Sequence, residues 1–404
     1  MVDKMSPEVR FPFCKGDWKK SMLGELIKLF GGNAFSSLDS SSSGIPWVKI
    51  ANVGIDGINW NESSYLPPEF WNTHIDYRLF KGDCVMALTR PILNHNLKIS
   101  IIDKEALLNQ RVAKITFQTD PNFGYQILKI RSVVRRIENE LAGSDPPNLS
   151  NKNLNNIEVS IPNNIKEQQK IGEFFKNLDD RIALQQQHIE RLKETKQGFL
   201  QKMFPKDGER VPEVRFRGFT GDWGRSKLGE FVEDYIEKTT VQNQHPVLTS
   251  SQKHGIILQE EYYSNRQVTT QNNIGYFVLP RGYFTFRSRS DNGVFSFNRN
   301  NLIDKGIISY FYPVFKISNG DSDFFLKLLN STLKKQVSIE SEGTGQRVLS
   351  LKKFKNINVI VPSIQEQQKI GEFFKKLDDT IAIQEKELEL LQETKKGFLQ
   401  KMFV

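Results

Sequence analysis

Two stretches of this chain are each written twice. The segment EQQKIGEFFKNLDDRIALQQQHIERLKETKQGFLQKMF at residues 167–204 returns almost unchanged at residues 366–403. A shorter block, PEVRFPFCKGDW at residues 7–18, returns as PEVRFRGFTGDW at residues 212–223. Between the copies lie two long inserts that hardly resemble one another. Repetition on this scale governs the architecture ahead of any local motif. A constant frame around two divergent inserts implies one scaffold presenting two different readers.

The longer repeat reads as a helix. Its apolar seam runs Ile171, Phe175, Leu178, Ile182, Gln185, Ile189, Leu192, Lys196, Phe199, Met203, in steps alternating four and three. The second copy gives Ile370, Phe374, Leu377, Ile381, Gln384, Leu388, Leu391, Lys395, Phe398, Met402. That alternation is the heptad signature of a coiled coil. No proline interrupts either helix, and about 37 residues at 1.5 Å each make a rod of roughly 55 Å. Two similar sequences are equally good partners in an antiparallel pair, which is symmetric about its midpoint. Such a pair would bring Gln185 face to face with Gln384, where a buried amide can fix register. The order block, insert, helix, block, insert, helix closes into a ring only if the end of the second helix meets the first block.

Each insert carries a mixture of strands and helices. In the first, β-type runs are expected at 47–53, 84–88, 99–102 and 112–117, with a helix at 125–141. In the second they fall at 275–279, 283–286, 294–297 and 307–315, with a helix at 323–337. Both inserts end in a polar loop, 143–150 or 343–350, and a strand, 157–161 or 357–361, running into Pro162 or Pro362. The expected fold is therefore α+β (mixed α/β), with two globular domains, two long antiparallel coiled-coil helices and a pseudo-two-fold axis. The expected divisions are 1–160, 161–205, 206–360 and 361–404. The serine-rich stretch 39–44 reads as a mobile loop.

At 404 residues the chain exceeds one typical core. Its net charge of +9 favours a polyanionic partner, of which nucleic acid is the commonest. Its two cysteines, Cys14 and Cys84, show neither metal nor disulfide spacing, which fits a reducing cytoplasm. The first residues lack the apolar core of a signal peptide, and no apolar run reaches the roughly 18 residues of a membrane span.

No metal site and no catalytic residues are expected. Asp145-Pro146-Pro147-Asn148 is the one stretch like a catalytic signature, that of DNA amino-methyltransferases. It lacks the aromatic residue that stacks on a flipped base, and no glycine-rich turn follows a strand to cradle a cofactor. P-loop, nucleophile-elbow and zincin patterns are all absent. The pairs Asp179–Asp180 and Asp378–Asp379 ride on the long helices as ordinary solvated residues.

Binding chemistry is better represented. In the second insert Tyr262, Arg266, Arg281, Tyr283, Arg287, Arg289 and Asn292, with Gln346 and Arg347 from the exit loop, mix arginines with aromatics. In the first, Arg90, Asn94, His95, Lys98 and Arg111 form the best cluster. Arginine can bond two acceptors of guanine, asparagine can pair with adenine, and phosphates take other cations. Taken alone, each such residue is more often structural or solvated than a DNA contact.

With its divergent inserts, near-identical helices, NI-x-V-x-[IV]P strand endings followed by EQQKIGEFF, ETK[QK]GFLQKMF tails and PEVRF…GDW…LGE blocks, the chain resembles the specificity (S) subunits of type I restriction-modification systems over essentially its full length. The resemblance implies that the inserts are target recognition domains, each reading one half of a bipartite sequence in double-stranded DNA. It implies that the helices set the spacer and dock two modification (M) subunits. Those subunits would hold S-adenosylmethionine and methylate adenine, while restriction (R) subunits would bring ATP, Mg and cleavage. No cofactor would be bound by this chain and no membrane would be involved. The rival readings are a single-chain DNA methyltransferase and a coiled-coil adaptor that does not bind DNA.

Overall fold

The computed structural model of the chain describes residues 6–404 apart from 56, 62, 144, 264–271 and 344. It divides into two units, Met1–Gln186 with Glu387–Val404, and Gln187–Lys386. Each unit holds one repeat block, one insert, the start of one long helix and the end of the other.

Both units are α+β and share a central four-stranded antiparallel sheet. Its order in the first is Ile27–Gly31, Val112–Phe117, Cys84–Ala87, Ile99–Ile101. In the second it is Val232–Tyr235, Val314–Ile317, Phe284–Phe286, Phe297–Arg299. Register matches as well. Ile27 lies opposite Phe117 where Val232 lies opposite Ile317, and Cys84 sits between Ile115 and Ile101 where Phe284 sits between Phe315 and Arg299. A one-residue slip would turn every apolar side chain to the wrong face, so shared register means a shared core.

The units differ in what is added to that sheet. The first adds a second four-stranded sheet, Ser64–Leu66, Ile45–Val48, Ala106–Leu108, Arg78–Leu79, with one parallel pairing. The second adds a hairpin, Leu248–Ser251 with Gly255–Leu258, and the pair Phe277–Pro280 with Lys305–Ile308.

The frame explains why both repeated pieces recur together. Arg10 forms a two-pronged ion pair with Glu167, Nε to Oε1 at 2.6 Å and Nη2 to Oε2 at 2.8 Å. Arg215 does the same with Glu366, at 2.6 and 2.7 Å. Each arginine of a PEVRF block is thus locked onto the glutamate of an EQQK segment. The tryptophans of the two GDW motifs are fully buried: Trp18 packs edge-on to Phe403 and Trp223 to Phe204. The N–H of Val9 donates to the Lys401 carbonyl at 2.9 Å, as that of Val214 does to Lys202 at 2.8 Å. The second helix therefore ends against the first block, as the repeat order requires.

The long helices run Ile165–Lys202 and Ile364–Lys401, 38 residues each, or about 57 Å. Their seam residues are those the structure hides. Ile171, Phe175, Leu178, Ile189, Ile370, Phe374 and Ile381 are buried, and Ile182, Gln185, Leu192, Leu377, Gln384, Leu388 and Leu391 are half-buried. Within the first unit Phe174 meets Phe398 at 5.0 Å, and Gln185 donates to Glu387 Oε2 at 3.4 Å. Within the second, Phe199 meets Phe373 at 5.1 Å and Lys193 pairs with Glu385 at 2.9 Å. In each unit later residues of one helix meet earlier residues of the other, so both pairings are antiparallel.

Several expectations need correction. The aspartate pairs are not alike: Asp180 and Asp379 are exposed, but Asp179 pairs with Lys395 and accepts from Gln126 at 2.8 Å. Asp378 likewise pairs with Lys327 and, at 2.6 Å, with Lys196. The helix expected at 125–141 is two, Pro121–Ile127 and Arg131–Glu140, and that at 323–337 is Ser322–Asn330 followed by Lys334–Glu340. At the second break Ser331 Oγ donates to the Lys327 carbonyl and Asn330 Nδ2 to that of Leu326, side-chain bonds that compete with helix continuation. The run 307–315 is also two strands, because Pro313 lacks an N–H for a ladder and a turn closes from Tyr312 N–H to Ser309 O. Just before the serine-rich stretch Ser36 caps a single turn at Ser37–Asp39, and within the stretch the N–H of Ser41 donates to the Tyr65 carbonyl at 2.8 Å.

Candidate nucleic-acid interface

In the second unit the chain leaves the central strand Phe284–Phe286 and passes Arg287 into a short strand, Arg289–Ser290, paired with Arg347–Val348. This extended segment forms one wall of a cleft of about 480 Å³. The hairpin residues Ser250–Lys253 face it, and Tyr262, Tyr263 and Tyr312 complete the lining. Arg287, Arg289 and Asn292, widely separated from Tyr262 in sequence, thus share one opening.

Their states differ. Arg287 and Arg289 are exposed. The Arg289 guanidinium lies over the Phe311 ring, 4.7 Å from its centre, which steadies the plane of its donor fork. Burial raises the pKa of the Tyr312 phenol, a shift opposed by the positive charge of nearby Arg287. Asn292 Oδ1 already accepts from Ser290 Oγ at 2.9 Å and from the N–H of Val294 at 3.0 Å. The Ser290 hydroxyl also lies 2.8 Å from the Val294 carbonyl and has one proton for the two acceptors, so the Val294 N–H is the fixed partner of the Asn292 carboxamide oxygen.

Other candidates serve the fold. Arg281 spends all three guanidinium nitrogens on Asp304, the Asn301 carbonyl and the Leu302 carbonyl, clamping a turn. Tyr283 packs against Tyr235, ring centres 4.7 Å apart. Arg347 Nη1 donates to the Ser341 carbonyl at 3.0 Å, and Gln346 Nε2 to Asp291 Oδ1 at 2.8 Å on the cleft wall. Arg266 lies outside the described residues. Asp291 and Tyr312 line the cleft without any sequence signal, because only the tertiary fold brings them there.

The first unit has a different surface. Arg90 is exposed at φ 48°, and its N–H donates to the Pro147 carbonyl at 2.9 Å. Asn94 and His95, at φ 49° and 60°, make the two-residue turn of the hairpin Ile92–Leu93 with Asn96–Leu97. His95 Nδ1 lies 3.0 Å from Glu138 Oε1. Arg111 is exposed, and its carbonyl accepts from the N–H of Leu88, so the segments bearing Arg90 and Arg111 run side by side. Lys98 instead donates to the Ile50 carbonyl at 2.8 Å, and burial lowers its pKa. The Asp145–Asn148 stretch docks against this edge as a loop: Thr89 Oγ1 donates to Asn148 Oδ1 at 2.6 Å, and Leu149 N–H to the Leu88 carbonyl.

A family model described as "Type I restriction modification DNA specificity domain" matches residues 15–194 and again 220–393. The chain belongs to that family. One relative, the type I restriction enzyme MjaVIII specificity subunit of Methanocaldococcus jannaschii, is 31% identical over 186 residues, which is 45% of this chain and 44% of that protein. The type I restriction enzyme EcoAI specificity subunit of Escherichia coli is 35% identical over 100 residues, 24% of this chain and 17% of that one. The chain thus spans less than half the length of either relative. The putative type I restriction enzyme MjaX specificity subunit, also of M. jannaschii, is 20% identical over 95% of this chain and 92% of its own. Among solved structures, the S subunit of a type I restriction-modification system from M. genitalium shares the fold with TM-score 0.65 at 16% identity, covering 99% of both chains. The two family matches fall one per copy of the repeat, so this specificity-domain protein carries the domain in tandem. No helix among the described residues is long and apolar enough to cross a membrane.

Proposed function

We propose that this chain is the DNA-sequence specificity subunit of a type I restriction-modification complex, each unit binding one half of a bipartite duplex target. The observation that carries this reading is the pairing of a repeated frame with unlike surfaces. Both units repeat the sheet register and the arginine–glutamate clamp, yet one presents a cleft with Arg287 and Arg289 and the other an edge with Arg90 and Arg111. The long helices set the spacer and dock two modification subunits, one for each copy of the frame. Catalysis resides in the partners: adenine methylation with S-adenosylmethionine on the modification subunits, and ATP- and Mg-dependent cleavage on added restriction subunits.

Sequencing methylated adenines in cells that express the chain with its modification partner tests the reading. The expected pattern is one two-part sequence with a fixed spacer. Adding one heptad to both helices should lengthen the spacer and leave both half-sites unchanged. Methylation at a single uninterrupted site, or none dependent on this chain, would overturn it.

A further inference from the structure

The geometry points to Arg289 and Asp291 as the pair that reads one G·C base pair in the half-site bound by the second unit. This rests on the specificity-subunit reading and assigns the contact within it. Arg289 and Asp291 stand two places apart on the wall of the cleft. Arg289 is exposed, and its guanidinium carbon lies over the Phe311 ring, 4.7 Å from its centre. Asp291 is steadied by Gln346, which donates to Oδ1 and leaves Oδ2 for a ligand. In the major groove guanine offers two acceptors, O6 and N7, and its partner cytosine offers an amino donor. A two-pronged donor beside an ionised acceptor matches that pattern across a single base pair.

A phosphate fits the same place poorly, because the Asp291 carboxylate would repel it. Adenine is matched less well, since the carboxamide oxygen of Asn292 already accepts from the Val294 N–H. The contact belongs to one unit alone. In the first unit Thr89 stands across from Asn148 where Arg289 stands across from Val348, and its hydroxyl is spent on that asparagine.

The test uses the chain assembled with its modification subunits and the methylation-mapped target. Each guanine in turn is replaced by 7-deazaguanine, which lacks the N7 acceptor. Wild-type protein should lose roughly tenfold in affinity at one guanine, in one half-site only. Arg289→Ala should lose about as much on unmodified target and be indifferent to that replacement. Arg289→Lys should fail to restore discrimination, since a point charge lacks the fork. Asp291→Asn should weaken the preference at the same base pair, and Arg90→Ala should leave it intact. The inference is overturned if Arg289→Ala weakens target and unrelated DNA equally with a salt slope lower by about one, the mark of a phosphate contact. It is equally overturned if Arg289→Ala discriminates as the wild type does. A wild-type complex with no preference for the mapped target would instead overturn the specificity-subunit reading itself.

Discussion

The two units place the same frame beneath different surfaces, and the boundary between sameness and difference follows burial. Phe123 and Phe324 are both wholly buried, and both lie in the first turn of helices capped by an aspartate, Asp120 and Asp321. Gly172 and Gly371 on the long helices let those caps come close, for a Cβ on either would collide with the aspartate carboxylate. Past the sheet the match ends: Ala87 and Thr89, both buried, stand where the second unit has the exposed Arg287 and Arg289. Close packing tolerates few changes, whereas a solvent-facing position is free to take on a new ligand. The frame is thus what the two units must share, and the rim is where they can differ.

Cysteine labelling separates the units, because both cysteines belong to the first. Cys84 lies in its central sheet, 4% exposed, and burial pushes its thiol pKa up, whereas Cys14 is half-buried. Its counterpart in the second sheet is Phe284. Alkylation of Cys84 in the native protein should be slower than that of Cys14 by on the order of a thousandfold, because it waits for the sheet to open. Comparable rates, followed by mass spectrometry, would mean that the core of the first unit opens readily. The same reaction then reports whether a given substitution has weakened the first unit.

The arginine–glutamate clamps offer the next largest effect. Glu167 and Glu366 are 3% and 1% exposed, so removing the arginine strands a carboxylate away from water. Arg10→Ala and Arg215→Ala should each destabilise by about 3 kcal/mol in urea titrations, with only Arg10→Ala hastening Cys84 labelling. If one variant proved neutral, the two frames would not be equivalent. Gly172→Ala and Gly371→Ala should follow at about 1–3 kcal/mol, as overpacking at the helix–cap contact. Thermal unfolding with the same labelling readout would separate them, and a stabilising effect at either site would show that the cap can retreat.

The frame was legible in the sequence because repetition and the heptad steps share a single cause, which is packing. Every seam position from Ile171 to Leu192 and from Ile370 to Leu391 is buried or half-buried. Some central strands were legible as well: the run expected at 112–117 coincides with Val112–Phe117, but the edge strands Ile27–Gly31 and Val232–Tyr235 were not foreseen. What stayed hidden depends on contacts between distant residues. Nothing local distinguishes Arg281, which clamps a turn, from Arg289, which faces a cleft. Nor did composition reveal that Asp179 meets Gln126 and Lys395, or that serines 36 and 41 fasten their own loop. Residue type shows what a side chain can do, while its partners decide what remains for a ligand.

The smallest effect is also the finest test of equivalence. Asp120 Oδ1 accepts from the N–H of Phe123 at 2.9 Å, and Asp321 Oδ1 from that of Phe324 at 2.8 Å. Each cap satisfies one orphan donor at a helix start, so Asp120→Ala and Asp321→Ala should each cost about 1 kcal/mol. Their surroundings differ in one respect. Gln168 donates to the Pro162 carbonyl and accepts from Thr119, beside the first cap, whereas Gln367 donates to the Pro362 carbonyl and accepts directly from the N–H of Asp321. The second cap therefore has its own backbone held by the frame, and the first is held one residue earlier. Replacing Gln367 with Ala should amplify the cost of Asp321→Ala, because cap and glutamine fix the same peptide. Replacing Gln168 should add nearly independently to Asp120→Ala. A double-mutant cycle in each unit measures that difference directly. Equal coupling in both would show that the frames behave alike even where their hydrogen bonds do not.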